Sequence, residues 1–208
     1  MTIAVVTVAV PERAALLAEN IASVNAQSYP PVGHYIGVDH ARVGCALNLN
    51  RTVNAALASG AEWIAQLADD DLMYPHHLGV LIGATRTQHD CEGFGPEGSP
   101  CDSCPGDGCP ILPRPDIVYS WCHVTGRTGW NPNRHFDAQA LRSGNYIPAT
   151  TLIRASLIRD LGGWRSGAHG FEDWDFWLRA LDVGARFECI PTVTWEYRFR
   201  SDNISWRS

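Results

Sequence analysis

Residues 62–78 read EWIAQLADDDLMYPHHL. An apolar run over 62–67 predicts a short buried strand, and Asp69, Asp70 and Asp71 stand just beyond its carboxyl end. Pro75 and a helix-like stretch follow, with Leu78, Leu81 and Ile82 as the apolar stripe. Adjacent carboxylates repel one another, so the triplet needs an explanation. One reading is a solvated surface turn in which an aspartate such as Asp71 caps the next helix. The other is a hard divalent cation, Mg²⁺ or Mn²⁺, that neutralises the acids through their oxygens.

Working outward from this stretch, strands alternate with helices. Residues 3–10 (IAVVTVAV) form a continuous β-branched run, as a strand covered on both faces requires. Pro11 and Glu12 open a helix whose Leu17, Ile21 and Val24 share one side. A turn at 29–31 leads to a strand over 34–38 that ends at Asp39, and a helix over 46–59 turns Leu49, Val53, Ala56 and Leu57 inward. This alternation predicts an α/β fold, Rossmann-like, with a mostly parallel central sheet flanked by helices. Ligands of such sheets bind outside the carboxyl ends of the strands, where Asp39 and the triplet both fall.

Past residues 88–115 the chain resumes with a strand over 116–124 and an extended run over 145–154. A Gly162-Gly163-Trp164 turn precedes a helix over 172–183 with Trp174, Trp177, Leu178 and Leu181 on one face. Two short strands, RFECIP and VTWEYRFR, close the pattern. The expected organisation is one domain over 1–208, with halves 1–87 and 116–208 joined through 88–115.

Composition narrows the chemistry. The net charge of −6 argues against general nucleic-acid binding. All sixteen basic residues are arginine, which removes lysine-base and Schiff-base chemistry and leaves arginine to contact phosphate. No apolar run reaches the length of a transmembrane span. The start, MTIAVVTVAVPE, lacks the features of a signal peptide, so a cytoplasmic, reducing location is the expectation.

The stretch 88–115 is aperiodic and dense in Gly, Pro and Cys, and reads as an insertion. Cys91, Cys101, Cys104 and Cys109 follow C-x9-C-x2-C-x4-C, which fits a structural zinc site, with His89 as an alternative ligand. Disulfides and free thiols are the competing readings. Cys45, Cys122 and Cys189 lie in apolar contexts and read as core residues, and His76 and His77 as surface residues.

A second acid cluster lies in GFEDWDFWLRAL. Glu172, Asp173 and Asp175 sit in the first turn of a helix, where the macrodipole alone favours acids; the alternative is a general base projecting into a cleft. With VVTVAVPE, GVDH, QLADDDLMYP, GNYIPATTLIR, LGGW and GFEDWDFWLR in this order, the sequence resembles family 2 glycosyltransferases of the GT-A fold.

The resemblance spans nearly the whole chain outside 88–115. It implies inverting transfer of a sugar from a nucleoside-diphosphate sugar, expected to be a UDP-sugar, to an acceptor hydroxyl with Mn²⁺ or Mg²⁺. It makes 1–87 the nucleotide-sugar half and 116–208 the acceptor and catalytic half. It assigns Asp39 to the nucleobase and Asp69 to the ribose or the support of the metal. Asp70, with Asp71 beside it, becomes the metal-binding acid of a DxD-like motif. Asp173 becomes the base, Glu172 its partner, and Asn145 and Trp174 acceptor-side contacts. Arg198 and Arg200 are candidates for the leaving diphosphate. Two positions depart from the pattern: Ala68 where many members carry an acid, and Arg200 near where many carry a metal-binding histidine. A nucleotidyltransferase is disfavoured because VAVPERAAL has no glycine-rich phosphate loop. A zinc-stabilised binding module that holds a nucleotide sugar without turnover is the non-enzymatic alternative.

Overall fold

The computed structural model describes residues 1–85, 114–129, 131–167 and 170–200. Cys91, Cys101, Cys104, Cys109 and His89 lie outside the described residues, and with them the zinc expectation.

The elements in chain order are β1 (Ile3–Ala9), a 3-10 turn (Pro11–Arg13), α1 (Ala14–Asn25), β2 (Gly33–Val38) and α2 (Cys45–Ala58). Next come β3 (Trp63–Gln66), β4 (Leu72–Met73), α3 (His77–Ala84), β5 (Ile117–Thr125) and α4 (Ala138–Ser143). The chain continues through β6 (Thr151–Arg154), α5 (Ala155–Leu161), α6 (Glu172–Asp182) and β7 (Phe187–Arg198). The seven strands form one sheet in the order β2-β1-β3-β6-β5-β7-β4.

The sheet is mixed, which corrects the mostly parallel expectation. β1 pairs in parallel with β2 and β3, and β5 with β7. β6 runs against both β3 and β5, and β4 runs against β7. The reversal of β6 follows from the chain path: residues 145–150 approach along the edge where β3 and β5 end, so the strand must run back. Strand β7 is one element rather than two, with register shifts against β5 at Ser120, Trp121 and Cys122. The two-residue strand β4 and helices α4 and α5 were not anticipated from periodicity, being too short to display one.

Period-two alternation along β1 divides the core. Ala4 and Val6 point to one face with Leu49 and Val53 of α2, Ile64, Ile153 and Trp177 of α6. Ile3 and Val5 point to the other with Val24 of α1, Trp63, Leu67 and Leu78 and Leu81 of α3. Burial of each such large side chain contributes about 1.5–3 kcal/mol. The inward face of α2 is as expected, with Leu49, Val53 and Ala56 buried and Leu57 packed against them. In α1 the stripe is narrower: Val24 is buried and Leu17 and Ile21 only half-buried, while the polar Asn20 is fully buried. In α6 the stripe is rotated, with Phe176, Trp177 and Ala180 fully buried.

His77 is a further correction. It is fully buried, with Nδ1 at 2.7 Å from Thr194 Oγ1, and burial lowers its pKa to about 3, so the ring is neutral.

The LGGW segment is a docking joint. Gly162 (φ 71) caps α5 in the left-handed conformation, and Gly163 follows with φ 76. Asn50 of α2 brackets the turn, donating to Trp164 O at 2.7 Å and accepting from Trp164 N–H at 2.9 Å. Arg179 of α6 holds the same turn through Leu161 O (3.0 Å) and Gly163 O (2.8 Å), and Trp164 stacks on Phe176 at 4.6 Å. A Cβ on Gly163 would lie 2.2 Å from Asn50 Oδ1. Gly163→Ala should therefore destabilise the fold by at least about 1–3 kcal/mol from backbone conformation alone. Chemical denaturation checks this; an unchanged unfolding midpoint would show that the joint yields.

Candidate functional site

A cleft of about 1440 Å³ opens along the edge where β1, β3 and β5 end and β6 begins. It is lined by Asp39, the aspartate triplet, Asn145, Glu172, Asp173 and Arg200, together with Arg13 and Cys45.

The triplet is not a solvated turn. Asp69, Asp70 and Asp71 are only 5%, 6% and 3% exposed, so water cannot supply their compensation. The protein supplies part of it. Arg13, at the end of the 3-10 turn, places Nη1 at 3.0 Å from Asp69 Oδ1 and 3.3 Å from Asp70 Oδ2. Asn20 donates to Ala68 O (2.7 Å) and Asp71 O (3.1 Å), which pins the loop backbone against α1. Asp71 Oδ1 accepts from Arg198 N–H at 3.1 Å and so ties the loop to β7. Asp71 is thus not a helix cap, and α3 begins without a side-chain cap.

Compensation is incomplete. Burial pushes the Asp70 carboxyl up, with Arg13 opposing and Asp69 reinforcing the shift. Burial, and then the charge of Asp70, pushes Asp71 well above the usual carboxylate range. Among the described residues no group of three or more His, Cys, Asp or Glu side chains is arranged to hold a metal ion. Mg²⁺ or Mn²⁺ can be held by one or two carboxylates with water and phosphate in the remaining positions, a set that Asp69 and Asp70 could offer, whereas Asp71 is turned to the β7 backbone.

Asp39 follows β2 and organises the loop into α2. Its Oδ1 accepts from Val43 N–H and its Oδ2 from Gly44 N–H, both at 2.9 Å, and these bonds hold its pKa low. The loop includes Arg42 in the left-handed region (φ 53), and the Arg42 guanidinium pairs with Glu12 across the cleft mouth. Cys45 begins α2 and is exposed in the cleft, not in the core as its context implied. Although its surface is open to the cleft, the surrounding walls desolvate it, and with the charges of Glu172, Asp173, Asp69 and Asp39 they push its thiol up to about 12, away from a thiolate. Cys122 is buried, and Cys189 is intermediate.

On the opposite wall, Glu172 and Asp173 form the first turn of α6. Asp173 Oδ2 accepts from Asn145 Nδ2 at 3.0 Å, and Oδ1 from Trp174 N–H at 2.8 Å. Burial outweighs both bonds and raises the Asp173 pKa to about 6. Asn145, expected as an acceptor contact, is here the group that orients Asp173. The third acid, Asp175, pairs with Arg179 at 2.8 Å and serves the helix. Trp174 does not line the cleft, because its indole N–H donates to Leu141 O at 2.8 Å.

The two arginines of YRFR separate. Arg200 lines the cleft and its charge favours ionised Asp70, whereas the Arg198 guanidinium reaches Glu19 (2.7 Å) and Glu196 (3.4 Å). Trp195 and Tyr197 face the cleft, so Glu196 and Arg198 face away, whereas Arg200 lies beyond the end of β7 and is released from that alternation. Sequence reasoning missed Arg13 and Asn20. A signal existed in PERAALLAEN, where both would start and line the helix after β1, but nothing local says which loop they meet. It also missed Asn133, which holds the cleft loop by exchanging bonds with Cys122 N–H (2.8 Å) and O (2.9 Å).

The elevated Asp71 sets a pH dependence of stability. A folded-state pKa above the unfolded value means that folding takes up a proton, so stability falls as pH rises from the usual carboxylate range to the folded value. Asp71→Asn keeps an acceptor for Arg198 N–H and removes the charge. The variant should melt higher than the parent at neutral pH, with the gain vanishing below about pH 4. Thermal melts across that range check the sign; a lower melting temperature at neutral pH would overturn it.

No family model and no curated protein matches the sequence. Solved structures do match. TarS 1–349 from S. aureus in complex with UDP-GlcNAc shares 12% identity at a TM-score of 0.67, over 100% of this chain and 61% of that one. The same fragment with UDP gives a TM-score of 0.63 at 11% identity, over 98% and 62%. Mannosyltransferase PcManGT from Pyrobaculum calidifontis, in complex with GDP-Man and Mn²⁺, gives 0.59 at 14% identity, over 97% and 58%. The chain thus spans about three-fifths of the length of these structures. Its α/β fold is the fold that these structures share.

Proposed function

We propose that the chain catalyses inverting transfer of a sugar from a nucleoside-diphosphate sugar, with a uridine nucleotide as the expected donor, to an acceptor hydroxyl. The observation that carries this reading is one cleft lined both by the buried Asp69–Asp70 pair and by Asp173, which Asn145 holds in place and whose pKa is raised to about 6. The fold shared with structures holding UDP-GlcNAc and GDP-Man supports it.

In this reading residues 1–87 bind the donor and 116–208 supply the acceptor side and the base. Asp39 meets the nucleobase; each of its oxygens already accepts one backbone bond and retains a second lone pair. Asp69 borders the ribose, and Asp70 holds Mn²⁺ or Mg²⁺ on the diphosphate. Bound there, the cation supplies positive charge to the leaving group. Arg200 adds to that charge from the cleft wall.

Asp173 takes the proton of the acceptor hydroxyl, and the oxygen attacks the anomeric carbon opposite the departing diphosphate. Asn145 fixes the rotamer of Asp173 before substrate arrives, so the proton acceptor is pre-aimed. A pKa near 6 keeps the base ionised at neutral pH yet more basic than an ordinary carboxylate. Glu172 lies beside it on the acceptor side.

The test is a nucleoside-diphosphate release assay against a panel of donors and hydroxyl acceptors, with Mn²⁺ present or chelated. Wild type should turn over only with the cation, and kcat/KM should fall below about pH 6, where Asp173 takes up a proton. Asp173→Asn should lower kcat by at least about a hundredfold while leaving donor binding by thermal shift intact. Full turnover by that variant would remove the base assignment, and turnover without metal the role of the cation. Asn145→Ala removes a bond that lowers the Asp173 pKa, so its acid limb should move to higher pH.

A further inference from the structure

We propose that the acceptor carries an anionic group, a phosphate or a carboxylate, and that Arg134 recognises it while the acceptor hydroxyl meets Asp173. This rests on the reading of the cleft as a nucleotide-sugar site with Asp173 as its base. The first observation is one of charge. Four arginines line the cleft: Arg13, Arg42, Arg134 and Arg200. Arg13 contacts Asp69 and Asp70, Arg42 contacts Glu12, and the charge of Arg200 acts on Asp70. Arg134 answers no carboxylate among the described residues. Its guanidinium lies over the ring of Tyr146, 5.2 Å from the centroid, and its side chain is exposed. The ring takes up none of the five N–H donors of the fork, which stay available to an oxyanion. A planar fork of this kind matches the paired oxygens of a phosphate or a carboxylate.

The second observation is that this fork is held in place and held near the base. Arg134 O accepts from the hydroxyl of the buried Tyr119 on β5 at 3.1 Å and from the Cys189 thiol on β7 at 3.2 Å. The preceding residue, Asn133, is clamped to Cys122 of β5. The Tyr146 ring is fixed through its hydroxyl, which accepts from Asp137 N–H (2.7 Å) and donates to Asp137 O (3.0 Å). Tyr146 directly follows Asn145, whose amide donates to Asp173 at 3.0 Å. Two consecutive residues thus carry the support of the guanidinium and the support of the base, so one acceptor molecule can reach both. Elsewhere the cleft is lined by Asp39, Asp69, Asp70 and Glu172, which repel an anion. An acceptor with its anion on Arg134 therefore presents its hydroxyl to Asp173 in one orientation. Arg134 is a specificity-determining residue on the acceptor side.

Binding measurements test this without turnover. Titrate two matched pairs, glycerol 3-phosphate against glycerol and methyl glucuronide against methyl glucoside, into wild type, Arg134→Gln and Arg134→Lys. Follow them by ligand-detected NMR, with and without UDP. Wild type should bind the anionic member of one pair at least about tenfold more tightly than its neutral partner, as a charge-assisted contact provides. The pair that shows the preference separates phosphate from carboxylate. Arg134→Gln should lose the preference, and Arg134→Lys, which keeps the charge but not the planar fork, should retain part of it. Absence of a preference in wild type, or a preference that survives Arg134→Gln, would overturn the proposal. So would a loss of UDP binding in Arg134→Gln as large as the loss of the anionic ligand, because it would place the guanidinium on the donor. Failure of wild type to bind UDP would instead remove the nucleotide-sugar reading, while the titrations without UDP still decide whether Arg134 selects anions.

Discussion

Three carboxylates held out of water at the end of β3 are the constraint around which the molecule is arranged. Desolvating a carboxylate costs several kcal/mol unless opposite charge or donors replace the lost hydration. The carboxylates are answered by a guanidinium from the turn after β1 and a backbone N–H from the end of β7, while an amide from the middle of α1 holds the loop backbone that carries them. Each ties a different element to the same loop. The first strand, the first helix and the last strand thus converge on one corner.

The opposite wall is fixed by a different framework. Asn50, Gly163, Trp164, Phe176 and Arg179 lock the turn after α5 to both α2 and α6, so the first turn of α6 is held by packing and hydrogen bonds far from the acids it carries. Two independently anchored carboxylate groups facing one cleft is an arrangement that needs little reorganisation when substrates arrive.

Much of this was legible in the residues. The β-branched run of β1, the inward face of α2 and the acid positions at strand ends follow from side-chain period and length. The buried polar partners were not legible. Asn20 occupies a helical position where periodicity expects an apolar residue, and its purpose appears only when Ala68 O and Asp71 O are seen beside it. His77 looked like surface for the same reason: its partner, Thr194, is 117 residues away. Arg198 and Arg200 share one parity in the sequence, and only the end of β7 at Arg198 separates them: Arg198 keeps the strand's outward side, and Arg200, past the strand, lines the cleft. Long-range pairing of polar groups has no local signature, whereas apolar burial does.

The reversed strand and the position of Asn145 have one cause. In a sheet of parallel strands, the segment entering a strand lies at the edge away from the ligands, and Asn145 would have had no path to Asp173. Because β6 runs against β3 and β5, its entering segment lies with their carboxyl ends, and residues 145–150 cross the mouth of the cleft. That reversal delivers Asn145 to within 3.0 Å of Asp173. Asp173 is thus held by two connections, one through α6 and one through the segment that enters β6, so its rotamer is fixed from both sides. The antiparallel strand therefore shapes the site: the segment leading into it supplies the hydrogen bond that orients Asp173.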